Sequence, residues 1–419
     1  MTLFQQLFTM FSSLNSSISI LIFMFTLLFS SCGGKNQNEP EEPDNVEAKH
    51  FTLIYAVNRS SLRSDFRADS LEMMQALDRI ADPSGRFLVY FTDIAADRCG
   101  LHEAVKRNGK YALSANPVHE YPRDVTSTNP SRIAEVIRDA LTRYPDLPAN
   151  LFFWGHGTSW TPEFSDNIVR PSKSSRPEDP SQAEAPVHKA YGGEYAGELG
   201  DRNNLAWTDI VELAAAIPSG RFDTIWFDCC YMSSIEILYE FREKCRWFVG
   251  YPTEVWQYGL PYDQILPMMY RVDPRREDAA RLFFDYYNNS GEPVTVAVSD
   301  MSKIESVAEA GARIFALGKE TPSVMPAVNY SRDTSNPYYD FLGYCTALAA
   351  EQGRSDLAAA LDDALSAMVT YYDRSPVDFR NRPWDTEKVR CISIGDYNPA
   401  SSDRKHIYYR TTAWYRRTR

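Results

Sequence analysis

Short runs of β-branched and aromatic residues alternate with helix-period segments along the first three quarters of the chain. That alternation restricts the fold more than any other feature. Runs at 51–57, 86–92, 151–154, 224–227, 247–251 and 294–298 read as strands. The segments near 65–80, 131–143, 208–216, 233–243, 277–287 and 302–317 carry apolar residues at helical spacing. Strands separated by helices predict an α/β fold, a mostly parallel sheet flanked by helices. Ser302 followed by Glu305 has the form of a capping box opening the last of these helices. With 419 residues, 44% of them hydrophobic, the chain can bury a sizeable core at 49–318 and a second one beyond it. Residues 319–419 read as a smaller C-terminal lobe. They hold a Pro- and Tyr-rich stretch, an amphipathic helix near 356–372, a strand near 389–394 and an aromatic, arginine-rich tail that reads as a solvated face.

The start of the chain is of another kind. Its first 34 residues carry no formal charge, and Ile18 to Phe29 form a twelve-residue apolar run. That is the length of a signal-peptide core and too short to span a bilayer, so residues 1–31 are expected to direct export. Leu28-Phe29-Ser30-Ser31-Cys32-Gly33 resembles a bacterial lipobox, in which Cys32 is lipidated and becomes the mature N-terminus. The usual Lys or Arg ahead of the apolar core is missing. Residues 32–48 are rich in Gly, Pro and acid and read as a flexible tether. The expected location is therefore the cell envelope, held in the outer membrane by a lipid anchor on Cys32, with an acidic stretch like those of surface-exposed lipoproteins.

The net charge of -12, with no basic block, excludes nucleic acid as a partner. Cys99, Cys229, Cys230, Cys245, Cys345 and Cys391 show neither zinc-site nor disulfide-framework spacing, so no metal is expected. Neighbouring side chains on a strand point to opposite faces, so Cys229 and Cys230 cannot bridge each other without strain; one is expected in the core and the other toward a cleft.

Two motifs carry chemistry. Trp154-Gly155-His156-Gly157 follows the apolar run at 151–154, and Phe227-Asp228-Cys229-Cys230 follows the run at 224–227. If both runs are parallel strands of one sheet, their C-terminal ends share an edge, where open α/β sheets place their sites. A thiol needs a base or a cation beside it to react near neutral pH, and His156 is the candidate base. The Gly157 and Cys230 N–H groups are candidate oxyanion donors, and a helix starting near Ser233 would turn its positive end toward the sulfur. From the residues alone the nucleophile is either Cys229 or Cys230. A serine hydrolase is not supported, because no G-x-S-x-G elbow is present. The spacing from 161 to 204 lacks periodicity and is rich in Pro, Ser, Glu, Lys and Gly, which predicts an exposed loop between the two motifs.

The order of WGHGTSW, FDCCYMSSIEILYEFR, YPTEVWQYGLPY and VAVSDMSKIE resembles the clostripain family of cysteine peptidases, relatives of the caspases, across residues 51 to about 310. The resemblance implies a caspase-like fold, with His156 as general base and Cys230 as nucleophile. Cys229 stands where the family commonly has alanine. Family members cut after Arg or Lys, which implies that Asp228 receives the basic side chain, with Glu254 or Asp263 as the candidate second carboxylate. They also mature by self-cleavage between the histidine and the cysteine. The loop here offers Lys173, Arg176, Lys189 and Arg202, with Lys189 the favoured site. Some members need calcium (Ca2+), although no EF-hand spacing occurs in this chain. The expected partners are protein or peptide substrates. The competing expectation is a surface lipoprotein that keeps the scaffold for binding and no longer turns over.

Overall fold

The computed structural model describes residues 46–160, 191–332, 337–384, 389–398 and 404–419. The expected signal segment, most of the tether, Cys32 and Lys189 lie outside them. From the N-terminus the elements are β1 (His50–Ala56), α1 (Arg63–Arg79), β2 (Gly85–Asp93), β3 (Arg98–Arg107), β4 (Lys110–Leu113), β5 (His119–Tyr121), α2 (Pro130–Arg143), β6 (Ala149–Trp154) and the two-residue β7 (His156–Gly157). After the loop come β8 (Tyr191–Tyr195), β9 (Leu205–Thr208), α3 (Ile210–Ala215), β10 (Phe222–Asp228), α4 (Ile235–Glu240), β11 (Cys245–Gly250), α5 (Tyr262–Met269), α6 (Arg276–Asn288), β12 (Thr295–Asp300) and α7 (Ile304–Phe315). The remainder holds β13 (Tyr338–Asp340), α8 (Phe341–Glu351), α9 (Ser355–Met368), β14 (Val369–Arg374), β15 (Ser393–Gly395), α10 (Arg404–Tyr409) and α11 (Ala413–Thr418).

One sheet runs in the order β14-β12-β11-β10-β6-β1-β2-β3-β4, with β5 on β3. Its centre, β11-β10-β6-β1-β2, is parallel throughout, while β12 runs antiparallel to β11 and β14 antiparallel to β12 on one side, and β3 antiparallel to β2 on the other. The expected alternation is realised in that central block. From β1 the chain steps to β2 on one side and later returns to β6 on the other. The order therefore reverses between β1 and β6, which opens a crevice at their C-terminal ends.

Strand alternation divides the core in two. Phe51, Leu53 and Tyr55 of β1, Leu151 and Phe153 of β6, and Ile225 and Phe227 of β10 face one core, packed under α2, α3, α4, α7, α8 and α9. Ile54, Phe152, Trp154 and Trp226 face the other, closed by α1, α5 and α6. A sheet covered on both faces explains why its strands read as continuous apolar runs.

The elements differ from expectation where local pattern misleads. The helix expected to reach Tyr372 stops at Met368, and 369–374 extend as β14 on β12. Tyr371 and Tyr372 suit a pleated edge better than a helix end. The capping box does not form. Asp300 caps the short turn at Met301–Lys303 by accepting from the Ser302 N–H, and Glu305 instead accepts from Tyr239 and Arg417. Residues 319–419, besides β14, contribute α8 and α9 to the first core and a two-stranded β13–β15 sheet. Asp44–Val105 and Lys110–Arg419 form one unit. Asn108 and Gly109, both with positive φ, make the turn between β3 and β4. Among the described residues no helix is long and apolar enough to cross a membrane.

Candidate active site

The C-terminal ends of β6 and β10 lie side by side, with Asp228 paired to Trp154 in the ladder. Just past them the chain carries His156 and Cys230 into one cleft of about 460 Å³. Leu62, from the segment after β1, Val255, Trp256 and Tyr258, from the segment after β11, and Phe379 complete its walls. The cleft lies on the expected C-terminal edge of the sheet, past β6 and β10 and next to the reversal at β1 and β6.

Each motif is shaped by its backbone. Gly155 has a φ of 148° and lets the chain turn from β6 into β7. At Gly157, any side chain would bring a Cβ within 2.4 Å of the Cys230 carbonyl oxygen, so only glycine lets the two segments touch. After Cys230, Tyr231 adopts a φ of 61°, a left-handed conformation that costs a bulky residue about 1–3 kcal/mol. Hydrogen bonds from the Tyr231 N–H to Thr253 (2.8 Å) and from the Ser233 N–H to Tyr251 (3.0 Å) hold that turn. Helix α4 begins only at Ile235, capped by Ser234, so the helix end expected at Ser233 lies further along the chain than anticipated.

Alternation separates the two cysteines. Cys229 continues the Ile225 and Phe227 face into the first core, is 1% exposed, and donates to the Phe153 carbonyl at 3.4 Å. Burial pushes its thiol far above the ordinary range. Cys230 is half-buried in the cleft wall, where the Val255 N–H donates to its sulfur at 3.3 Å and the Val255 carbonyl accepts from it at 3.7 Å. Burial raises the Cys230 thiol to about 11, against a smaller opposing effect of the Val255 N–H. His156, desolvated in the same cleft, is lowered to about 4. Both groups are therefore uncharged at neutral pH.

The imidazole belongs to a small antiparallel sheet, β7-β8-β9, in which His156 pairs with Gly192. Its Nε2 lies 2.9 Å from the Ser61 hydroxyl. Strand β8 is locked beneath it. The Tyr191 hydroxyl donates to the carbonyls of Tyr55 (2.8 Å) and Trp154 (2.9 Å), and buried Glu194 accepts from the Thr128 N–H and the Ser127 hydroxyl, both at 3.2 Å. The loop expected over 161–204 therefore ends by Tyr191 on its C-terminal side, because 191–195 are buried strand; Arg202 is exposed.

The cleft is acidic. Asp228 sits in its wall, accepting from the Leu260 N–H (3.2 Å) and the Tyr262 hydroxyl (3.0 Å), and burial raises its carboxyl to about 6. Behind it, Asp69 accepts from the Trp154 indole at 2.7 Å and is raised to about 9, first by burial and then by Asp228. Glu254 also lines the cleft but is ion-paired with Arg332 (2.8 Å), so its charge is already matched. Asp263 pairs with Arg79 at 3.4 Å and is not part of the lining. Gly157 lies behind the wall rather than in it.

Sequence reasoning missed Ser61, Asp69 and Arg332. Asp69 had a readable signal, a carboxylate on the apolar stripe Phe66, Met73 and Leu77 of α1. Ser61 and Arg332 had none, since each meets its partner only through the fold. Among the described residues one group could hold a metal ion, His119, Glu135 and Asp139 on β5 and α2. It does not suit calcium, which takes oxygen ligands, because it includes an imidazole already facing Asp139 at 3.7 Å.

Comparison places this geometry among known proteins. Residues 199–373 match the model of the clostripain family, peptidase C11. Three solved structures each cover close to nine tenths of this chain. A secreted C11 cysteine protease from Bacteroides thetaiotaomicron, in complex with an irreversible peptide inhibitor, has a TM-score of 0.69 at 19% identity and covers 88% of this chain and 99% of its own. An inactive zymogen C11 protease from Parabacteroides distasonis has a TM-score of 0.68 at 21% identity, covering 89% and 99%. A further secreted C11 protease from B. thetaiotaomicron, iotapain, has a TM-score of 0.69 at 20% identity, covering 89% and 100%. These likenesses establish the fold. No curated protein matches the sequence.

Proposed function

We propose, from the premise that the chain is a clostripain-family cysteine peptidase, that it hydrolyses peptide bonds after Arg or Lys with Cys230 as nucleophile and His156 as base. The observation that carries this reading is that His156, Cys230 and Asp228 line one cleft at the ends of β6 and β10. Because burial leaves both the thiol and the imidazole uncharged, the proton moves as substrate arrives rather than beforehand. His156 takes the thiol proton, and the sulfur attacks the carbonyl carbon. The resulting oxyanion is held by backbone N–H groups; of the two expected donors Cys230 lines the cleft and remains the candidate, whereas Gly157 lies behind the wall. The imidazolium then protonates the leaving amine, and water releases the acyl-enzyme with His156 again as base.

Asp228 is the carboxylate for a basic P1 side chain. Raised only to about 6, it is ionised at pH 7, whereas Asp69 at about 9 keeps its proton. Glu254 takes part only if Arg332 is displaced. The thiol's engagement by Val255 fits a resting state that precedes self-cleavage, with Lys189 as the favoured site. The relative from P. distasonis, described as an inactive zymogen, is consistent with such a state. Export and a lipid anchor on Cys32 complete the proposal.

The test is hydrolysis of short fluorogenic Arg, Lys and Asp peptides by loop-cleaved protein. Wild type should cut after Arg or Lys and spare Asp. Asp228→Asn should lose roughly 30-fold or more in kcat/KM on basic peptides, the ~2 kcal/mol or above of a removed charge partner. Equal turnover of all three peptides would refute the specificity. No turnover of any peptide by folded, cleaved protein would favour the binding lipoprotein.

A further inference from the structure

The histidine is held from a direction that no motif announces. We propose that Ser61 is the positioning residue of His156: its hydroxyl oxygen accepts the Nε2 proton, holding the tautomer whose bare Nδ1 is left for the Cys230 thiol. This rests on His156 being the base.

A neutral imidazole carries one N–H and one lone pair, so whatever engages one nitrogen decides what the other can do. Ser61 lies 2.9 Å from Nε2. The Cδ2 atom next to that nitrogen faces Gly193, where an added Cβ would stand 3.0 Å away, so the Cδ2–Nε2 edge of the ring is occupied by protein. The remaining edge carries Nδ1. Were Ser61 to donate its proton instead, Nδ1 would hold the ring's hydrogen and have no lone pair for the thiol.

Ser61 is placed by structure on both sides. Just before it, the Arg59 carbonyl accepts from the Tyr195 N–H at 2.8 Å, and the Arg59 guanidinium reaches the carbonyls of Tyr195 and Gly197. The Ser60 hydroxyl accepts from the Leu62 N–H at 3.2 Å. The hydroxyl thus comes from the segment joining β1 to α1, at the sheet's switch point, and that segment is tied to β8, the strand His156 pairs with. In the reaction the thiol proton moves from Sγ to Nδ1 while Nε2 keeps its own. The hydrogen bond to Ser61 strengthens as the ring becomes cationic. Nδ1–H then passes to the leaving amine.

The test uses the full, loop-cleaved chain with ring-¹⁵N histidine, comparing wild type, Ser61→Ala, Ser61→Thr and His156→Ala. Expected is the Nε2–H tautomer for His156 in wild type and a loss of that preference in Ser61→Ala. With it should come a fall in kcat of about tenfold, KM unchanged, and recovery in Ser61→Thr. Ser61 is exposed, so the melting temperature should hold. An Nδ1–H tautomer in wild type, or Ser61→Ala with unchanged kcat and tautomer while His156→Ala is inactive, would overturn the proposal. Full turnover by His156→Ala would instead refute the base on which it rests.

Discussion

Among single residues, the pKa values pull acid and base roles apart in a way that kinetics can read. Asp228 at about 6 lies above an ordinary aspartate, so it gains its proton, and loses its charge, as pH falls through 6. His156 at about 4 stays unprotonated well below that. For an Arg or Lys peptide, KM should therefore rise as pH drops below about 6, while kcat holds until nearer 4. Coincident loss of both at one pKa would contradict the separation. Part of this was legible beforehand: the strand-end histidine and cysteine, with the Asp-x-Cys resemblance, pointed to three residues that line one cleft. The choice of Cys230 over Cys229 had rested on family resemblance, and alternation in β10 now gives it an independent basis, since Cys229 continues the buried face. Arg332 was not legible because it lies 78 residues from Glu254, and only the fold brings the charges together.

At the scale of elements, the apolar runs predicted β1, β2, β6, β10, β11 and β12 because most of each is buried on both faces and reads as a continuous block. The sheet that carries His156 was hidden. Strand β7 has two residues, and β8 begins Tyr-Gly-Gly, a pattern that looks like loop. What makes β8 a strand is tertiary: Tyr191 reaches two carbonyls and Glu194 satisfies the turn before α2. Glu194→Ala should therefore cost about 1–3 kcal/mol of stability, leaving the Thr128 N–H and Ser127 hydroxyl without their acceptor. It should lower peptidase activity further than the lost stability explains, while Glu194→Gln, which keeps one acceptor, should lie between. Equal activity for all three proteins at a temperature where all are folded would show that β8 does not support His156.

For the whole molecule, both ends of the segment between His156 and β8 are anchored. Trp160 is fully buried, packing against Gly395 and meeting Tyr409 in a tilted ring contact at 4.8 Å, and Tyr191 is fully buried among Tyr55, Phe153 and Phe227. A cut after Lys189 would leave β6 paired with β10 and β7 with β8 across the break. The two pieces should coelute by size exclusion at neutral pH and part only in denaturant; separation under native conditions would contradict the described packing. The central claim, that His156 activates Cys230 in this cleft, is tested most directly by labelling loop-cleaved protein with a lysyl or arginyl chloromethylketone and mapping the adduct by mass spectrometry. The expected result is one adduct on Cys230, present in Cys229→Ala and absent from His156→Ala. An adduct on Cys229, or labelling of Cys230 that survives loss of His156, would contradict it.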